Sequence, residues 1–542
     1  MLPVSQSGDV ATSRPPISDS RSCRQWLHGL PLTNVAVAHA EMLVQIELVN
    51  QYSMSGVERL KVMETLREPV LFLQGETAKK YASKPLPYEA SEISLWKKTL
   101  ALWQGMAQGY QLCLQSLLAG EQALSSFLAF ICHRIVRTLG QQMLEHHYAY
   151  QTVPEKLWRD LHQTYALAEQ KGVARQAVKD PLNRMMDISS TEAAYVSTLL
   201  ICLADPYHLT ARQLAQLDRW LGKWAARVNV VREPPAPLHA EIKPAMVSVD
   251  LARPEGANML RPLGQPETGR YLDTNQLAIT LLKRLRHLRK GGSPTELDMG
   301  EDCVQPACEA FLSMLYQQWC EPLPLRTYDR RSGAAKAQIS FTLPAVHFYC
   351  NGEKLLRQPN QTDNLSWREM QDIQLFGHVS NHAAKQAASQ RGFALENWQI
   401  VDESALGFRL KADGLHAARI HHGQLVAIRP PDAKSFALGQ IRWLRHGAEG
   451  NLEIGVQTFP GIPMAVGIRN PVLIANLPSK IQPALLLPEI PSLSQPATLV
   501  LPQGWYAPDK EIELHFEDKL VVRLTALLDR GADFDRVGFT PK

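Results

Sequence analysis

The residues with the clearest chemical potential lie in the run Asp402-Glu403-Ser404-Ala405-Leu406-Gly407-Phe408-Arg409-Leu410. The preceding Trp398-Gln399-Ile400-Val401 reads as a strand. Asp402, Ser404 and Gly407 therefore set a short carboxylate, a hydroxyl and a residue without Cβ at the start of the next one. Two hydrogen-bonding side chains and a closely approachable backbone suit the edge of a ligand. The same letters also make an ordinary turn, in which Asp and Ser bond their own backbone, and the spacing alone leaves both readings open.

Other clusters offer less. Glu145-His146-His147 and the set His416, His421 and His422 hold metal-ligand types, but neither has the spacing of a zinc-binding helix or a third ligand to complete it. No metal is expected. Cys303, Cys308 and Cys320 read as core packing near helices. The eight cysteines include no CxxC pair, which suits reduced thiols in a cytoplasmic protein. There is no G-x-S-x-G, no P-loop and no G-x-G-x-x-G after a strand, so no catalytic residue is visible. The helix Leu281–Lys290 carries leucines on one face and basic residues around the rest, the pattern of a solvated face.

The elements that must position these residues follow from 542 residues, enough for three or four domains. Lys+Arg 57 against Asp+Glu 53 leaves +4, too little for a nucleic-acid or membrane-surface binder, so any anionic ligand must be met locally. No apolar run approaches the ~20 residues of a membrane span. Residues 1–25 read as a mobile leader and 26–231 as a helical bundle or helical hairpins. Within the latter, Leu157, Trp158, Leu161, Tyr165, Ala168 and Gly172 resemble the first helix of a tetratricopeptide unit. Proline density makes 232–272 a linker or small subdomain carrying a domain boundary. A helical pair is expected over 273–322. From Lys336 onward short β-branched and aromatic runs bounded by Gly, Pro and Asp predict antiparallel barrels, one over 323–470 and a further β domain over 471–542. The fold class is α+β and multidomain: an all-helical N-terminal region, then an antiparallel β-barrel, then the further β domain.

The order of elements after Gly407 gives this segment a family resemblance. Gly423-Gln-Leu-Val-Ala-Ile428, Gly439-Gln-Ile-Arg442-Trp443-Leu-Arg445 and Leu452-Glu-Ile-Gly455-Val-Gln457-Thr-Phe459 follow Asp402-x-Ser404-x-x-Gly407 in turn. Together, over about residues 395–460, they resemble the PilZ family, a small six-stranded antiparallel barrel with the signature D/N-x-S-x-x-G. The resemblance implies a receptor for cyclic di-GMP. Asp402, Ser404 and Gly407, with Arg409 beside them, would meet a guanine edge, and an upstream R-x-x-x-R would grip phosphates and guanines.

Two phosphates call for planar guanidinium forks. Arg326-Thr-Tyr-Asp-Arg330, with Arg331 next to it, has the spacing but stands 72 positions before Asp402. His378 and His382 fall where the arginine pair commonly lies, 20 positions before Asp402 counted from His382, and offer imidazoles instead. The expected function is a non-catalytic cytoplasmic adaptor that responds to cyclic di-GMP and acts on motility, biofilm or virulence through an unidentified protein partner. Ligand binding would change how the helical and β parts lie against each other. The alternative is a degenerate barrel that binds protein partners without nucleotide.

Overall fold

The structure is a computed structural model that describes residues 15–237, 245–259, 267–322, 330–356, 358, 371, 374, 388–413, 418–447, 451–471, 480–516 and 519–542. The chain forms two compact units. The first comprises Met1–Lys84 and Tyr88–Leu325, the second Pro85–Pro87 and Arg326–Lys542.

The first unit is helical, and its helices begin where the sequence supplies a cap. Asn34, Ser55, Ser190 and Thr210 each accept a backbone N–H from the first turn of the helix that follows. Apolar residues at helical spacing then build a common core. Helix Ala90–Leu118 contributes Leu102, Met106, Tyr110 and Cys113, and Glu155–Gln170 contributes Leu157, Trp158, Leu161, Tyr165 and Ala168.

Three expectations need correction in this unit. Helix Ser20–Gly29 occupies part of the leader expected over 1–25, because Cys23 buries against the helical core and Asp19 caps the first turn. The proline-rich stretch 232–272 does not divide the compact unit. Asn229–Val231, Gly269–Asp273 and Ser248–Asp250 form a three-stranded sheet whose Val230, Val249 and Leu272 belong to the same core as the helices. The helices Asn275–Arg289 and Ala307–Cys320 pack into that core as well, so the unit runs on to Leu325. Finally, Cys303 and Cys308 are joined in a disulfide: the loop into helix Ala307–Cys320 brings their Cα atoms to 5.1 Å. Cys23, Cys113, Cys132, Cys202, Cys320 and Cys350 are free thiols.

Burial gives the Glu145-His146-His147 run a structural rather than a ligating role. Glu145 accepts from the Tyr81 hydroxyl and from Trp103 Nε1, while His146 lies edge-on to Trp96 and His147 edge-on to Tyr207. Burial pushes the Glu145 carboxyl up to about 7 against those two donors, and holds His146 down to about 4 and His147 down to about 3. A carboxyl raised in the folded state contributes its full stability below its ordinary 4.5 and loses it as pH rises through 7. The histidines slope the other way, at full effect above 6.5 and lost as pH falls. Glu145→Gln keeps the acceptor without the charge. It should therefore raise thermal stability at pH 8, by about 3 kcal/mol at most, and leave it nearly unchanged at pH 4.5. Melting curves at the two pH values check this; an equal shift at both would contradict the assigned cause.

The second unit holds two barrels. In the first, Lys336–Phe341 pairs with Leu425–Arg429, followed round by Ala437–His446, Leu452–Thr458, Gly407–Ala412 and Glu396–Ser404, which closes onto Lys336–Phe341. Alternation sends Trp398, Ile400, Leu410, Ile428, Ile441 and Ile454 inward. A short strand, Arg331–Ser332, adds to the outer end of Glu396–Ser404.

The second barrel closes in the order Met464–Arg469, Gln482–Leu487, Thr498–Pro502, Phe534–Pro541, Lys519–Arg530 and Glu511–His515, around Val466, Leu499, Ile512, Leu524 and Val537. Its first strand lies within the 323–470 stretch expected for the middle barrel. Alternation marks a strand without saying which sheet it joins, and Met464–Arg469 finds its partners at 482–487 and 511–515.

A cluster of Leu343, Val346, Leu425, Phe436, Phe459, Leu485, Val500 and Phe534 packs the barrels together. The hairpin tip Gly531–Phe534 locks that seam. Ala532 N–H donates to Gly423 O at 2.9 Å, and Asp533 Oδ1 accepts the Leu425 N–H at 2.9 Å.

Candidate functional site

The Asp402 motif sits on the outer face of the middle barrel, at a two-residue hairpin, Ala405-Leu406, with Ser404 paired to Gly407. Inward Trp398 and Ile400 would by strict alternation turn Asp402 inward as well. A register shift between Ile400 and Asp402 prevents this: Ile400 faces Leu410, Asp402 faces Arg409, and the carboxylate shares the outer surface with that arginine.

Gly407 is required by a neighbour. A Cβ at this position would stand 2.0 Å from the Val456 carbonyl oxygen and 3.1 Å from its carbon. Gly407→Ala should therefore destabilise the unit by about 1–3 kcal/mol through a forced backbone shift. A melting curve checks it, and an unchanged midpoint would contradict the close approach. The Ser404 hydroxyl is within 3.4 Å of Gly407 O, a bond across the same hairpin.

Charge is concentrated around Asp402. Strand Arg331–Ser332 pairs Arg331 with Glu403 and Ser332 with Asp402, which places Arg330 so that its Nη1 donates to Asp402 Oδ1 at 2.6 Å. On the other side Arg409 Nη1 lies 3.9 Å from Asp402 Oδ2, and its Nη2 donates to Glu453 Oε2 at 2.8 Å. Arg445 Nη2 donates to the same Glu453 oxygen at 2.9 Å. Burial works against ionising Glu453, yet the hydrogen bonds and charges of these two arginines hold its carboxyl below the usual range.

An aromatic plane borders the charges. Trp443, Gly455, Arg409, Asp402 and Ser332 follow one another as cross-strand partners. Trp443 lies over Gly455 so closely that a Cβ there would meet its Nε1 at 1.9 Å. The guanidinium of Arg445 stands 5.9 Å from the centre of a Trp443 ring. The result is an outer shelf with three guanidiniums, two carboxylates and an indole.

Of the residues singled out by sequence, Arg330, Asp402, Ser404, Gly407 and Arg409 are brought together here. Arg331 joins through its main chain, with its side chain exposed. Arg326, His378 and His382 lie outside the described residues, as does His416. Glu453, Trp443, Arg445 and Gly455 were not anticipated as site residues. The signal available for them was alternation: Glu453 is the outward residue between inward Leu452 and Ile454. Among the described residues no three His, Cys, Asp or Glu side chains converge to hold a metal, and no helix is long and apolar enough to cross a membrane.

The fold and this shelf define a class. The middle segment, residues 359–460, matches the family model described as the middle PilZ domain of the cyclic-di-GMP receptor FimW, so the first barrel of the second unit is of the PilZ type. The flanking segments are similar to the other domains of the same receptor: residues 21–235 match the model of the FimW N-terminal domain and 472–541 that of the FimW C-terminal β-barrel domain. A curated relative, the cyclic-di-GMP receptor FimW of Pseudomonas aeruginosa, is 22% identical, with 93% of this chain and 87% of the relative covered. Arg330 stands ahead of the residues matched by the middle-domain model, so its reach to Asp402 is an observation of this chain's own geometry.

Proposed function

We propose that this chain is a non-catalytic receptor for cyclic di-GMP, and that the ligand sits on the Asp402 shelf. The observation that carries the reading is the pairing of Arg330 with Asp402 at 2.6 Å, with Arg409 on the other flank. A guanine edge presents neighbouring N–H donors, which a carboxylate with two acceptor oxygens can take together. The phosphates need cationic forks, and an exposed Arg330 can swing from Asp402 to a phosphate while the base replaces it on the carboxylate. Arg409 and Arg445 are tied to Glu453 and stay as fixed positive neighbours, and Trp443 offers a face for stacking, which is worth about 1–3 kcal/mol per base.

The name of the Pseudomonas relative supports the same ligand. The receptor works in the cytoplasm, and its output passes to a protein partner, with motility, biofilm formation or virulence as the behaviour controlled. Calorimetric titration of the full chain with cyclic di-GMP, against GMP as control, tests the proposal. Saturable binding of the cyclic dinucleotide alone is expected. No heat and no change in Trp fluorescence at millimolar ligand would favour the ligand-free scaffold instead.

A further inference from the structure

Glu453 stands between cations on both neighbouring strands of the middle barrel. Its cross-strand partner on Ala437–His446 is Arg445, and its partner on Gly407–Ala412 is Lys411, next on that face after Arg409. Directly opposed residues of antiparallel strands share a face, so these charges crowd one patch of the outer surface. The two guanidiniums meet on a single atom: Arg409 Nη2 donates to Glu453 Oε2 at 2.8 Å, and Arg445 Nη2 to the same oxygen at 2.9 Å. The Glu453 side chain is 13% exposed and each arginine side chain 32%, so water screens the group only in part. Without the carboxylate, two like charges would be held together uncompensated.

This clamp limits what the shelf can offer an anion. A guanidinium already bonded to a carboxylate has fewer N–H groups left for a phosphate, and the carboxylate offsets its charge. The exposed Arg330 is the fork placed to turn towards a phosphate, while Arg409 and Arg445 stay committed to Glu453. A cyclic dinucleotide suits that balance, because each of its phosphates is a diester with a single charge. A terminal phosphate monoester carries ~1.5 to 2 negative charges at neutral pH. That added charge calls for a second free fork, which Glu453 withholds, and the carboxylate itself repels it.

Resting on the reading that cyclic di-GMP binds at the Asp402 shelf, we propose that Glu453 is a specificity-determining residue. By holding Arg409 and Arg445 together it confines the shelf to phosphodiesters and turns away guanine nucleotides that end in a phosphate monoester. It is a positioning residue, acting through the two arginines. Calorimetric titration of the full chain with cyclic di-GMP, and with the linear guanosine dinucleotide bearing a terminal phosphate, tests this in the unaltered protein and in Glu453→Gln. Glutamine keeps the length and an acceptor oxygen but removes the charge. The unaltered protein should bind the cyclic form about tenfold more tightly than the linear one, or better. In Glu453→Gln that ratio should fall about threefold or more, through tighter binding of the linear form. In Glu453→Gln/Arg445→Gln, where one released guanidinium is gone, the ratio should climb back towards the unaltered value. A merely structural role would lower the melting temperature and weaken both ligands alike. An unchanged ratio in Glu453→Gln would overturn this proposal alone and leave the receptor reading standing. A ratio that stays low in the double variant would do the same, as would equal affinity for the two ligands in the unaltered protein, a measurement that needs no variant to fold. Binding of neither dinucleotide by the unaltered protein would overturn the receptor reading, and this proposal with it.

Discussion

Arg330→Ala and Asp402→Ala should each weaken cyclic di-GMP binding by about 10- to 100-fold, the loss of one charge-assisted hydrogen bond at about 1.5–3 kcal/mol. The effect on stability should be small. The Arg330 side chain is 47% exposed, and an ion pair at such a surface is worth about 0–1 kcal/mol, so both variants should melt near the unaltered protein. This separation gives the prediction its force: a residue holding the barrel together would lower the melting temperature, whereas a residue holding the ligand lowers only the affinity. Arg330→Lys should rescue little, because an ammonium cannot present the planar fork. Calorimetric titration beside thermal melts reads both quantities. Unchanged affinity in both alanine variants would remove these residues from the site.

Asp180→Ala should be among the most damaging single changes in the helical unit. Asp180 is 3% exposed and accepts from Arg67 Nη2 at 2.7 Å, with Arg134 Nη1 at 3.7 Å and His133 Nε2 at 3.9 Å. Arg134, itself buried, also donates to both oxygens of Glu64, which accepts the Tyr110 hydroxyl at 2.7 Å. Removing the central carboxylate leaves two guanidiniums without it in a desolvated site, at a cost of about 3–5 kcal/mol. For a unit of this size that is on the order of 10 °C in melting temperature.

The pH dependence has a definite sign. Burial opposes ionisation of Asp180, but Arg67 and Arg134 hold its carboxyl below the ordinary value, while burial and Arg134 push His133 down to about 3. Both groups therefore contribute stability that is full at neutral pH. The His133 share fades as pH falls from 6.5 towards 3, and that of Asp180 is lost below 3.8. A melting temperature lowered by less than about 2 °C in Asp180→Ala would contradict this account.

Much of the architecture was legible because alternation and helical spacing are local. The strand carrying Asp402 and the one opened by Gly407 fall within two or three residues of where alternation puts them. What escaped was pairing between distant segments. Nothing near Arg330 states that Arg331–Ser332 will ladder onto Glu403 and Asp402, and nothing near Glu453 states that Arg409 and Arg445 will share its oxygen. The bulge that turns Asp402 outward also depends on the facing strand, whose Arg409 meets Asp402 after Leu410 has met Ile400. In the helical unit the prolines of 232–272 were read as a break. Strand Ser248–Asp250 fits between them, Asn229–Val231 and Gly269–Asp273 flank them, and all three are apolar enough to join the helical core.

A crystal structure of the full chain with cyclic di-GMP bears most directly on the central claim. The account predicts a guanine edge within hydrogen-bond distance of the Asp402 carboxylate, Arg330 moved from that carboxylate onto a phosphate, and Arg409 still bonded to Glu453. Ligand bound elsewhere, with the Arg330–Asp402 pair intact and the shelf unoccupied, would contradict it.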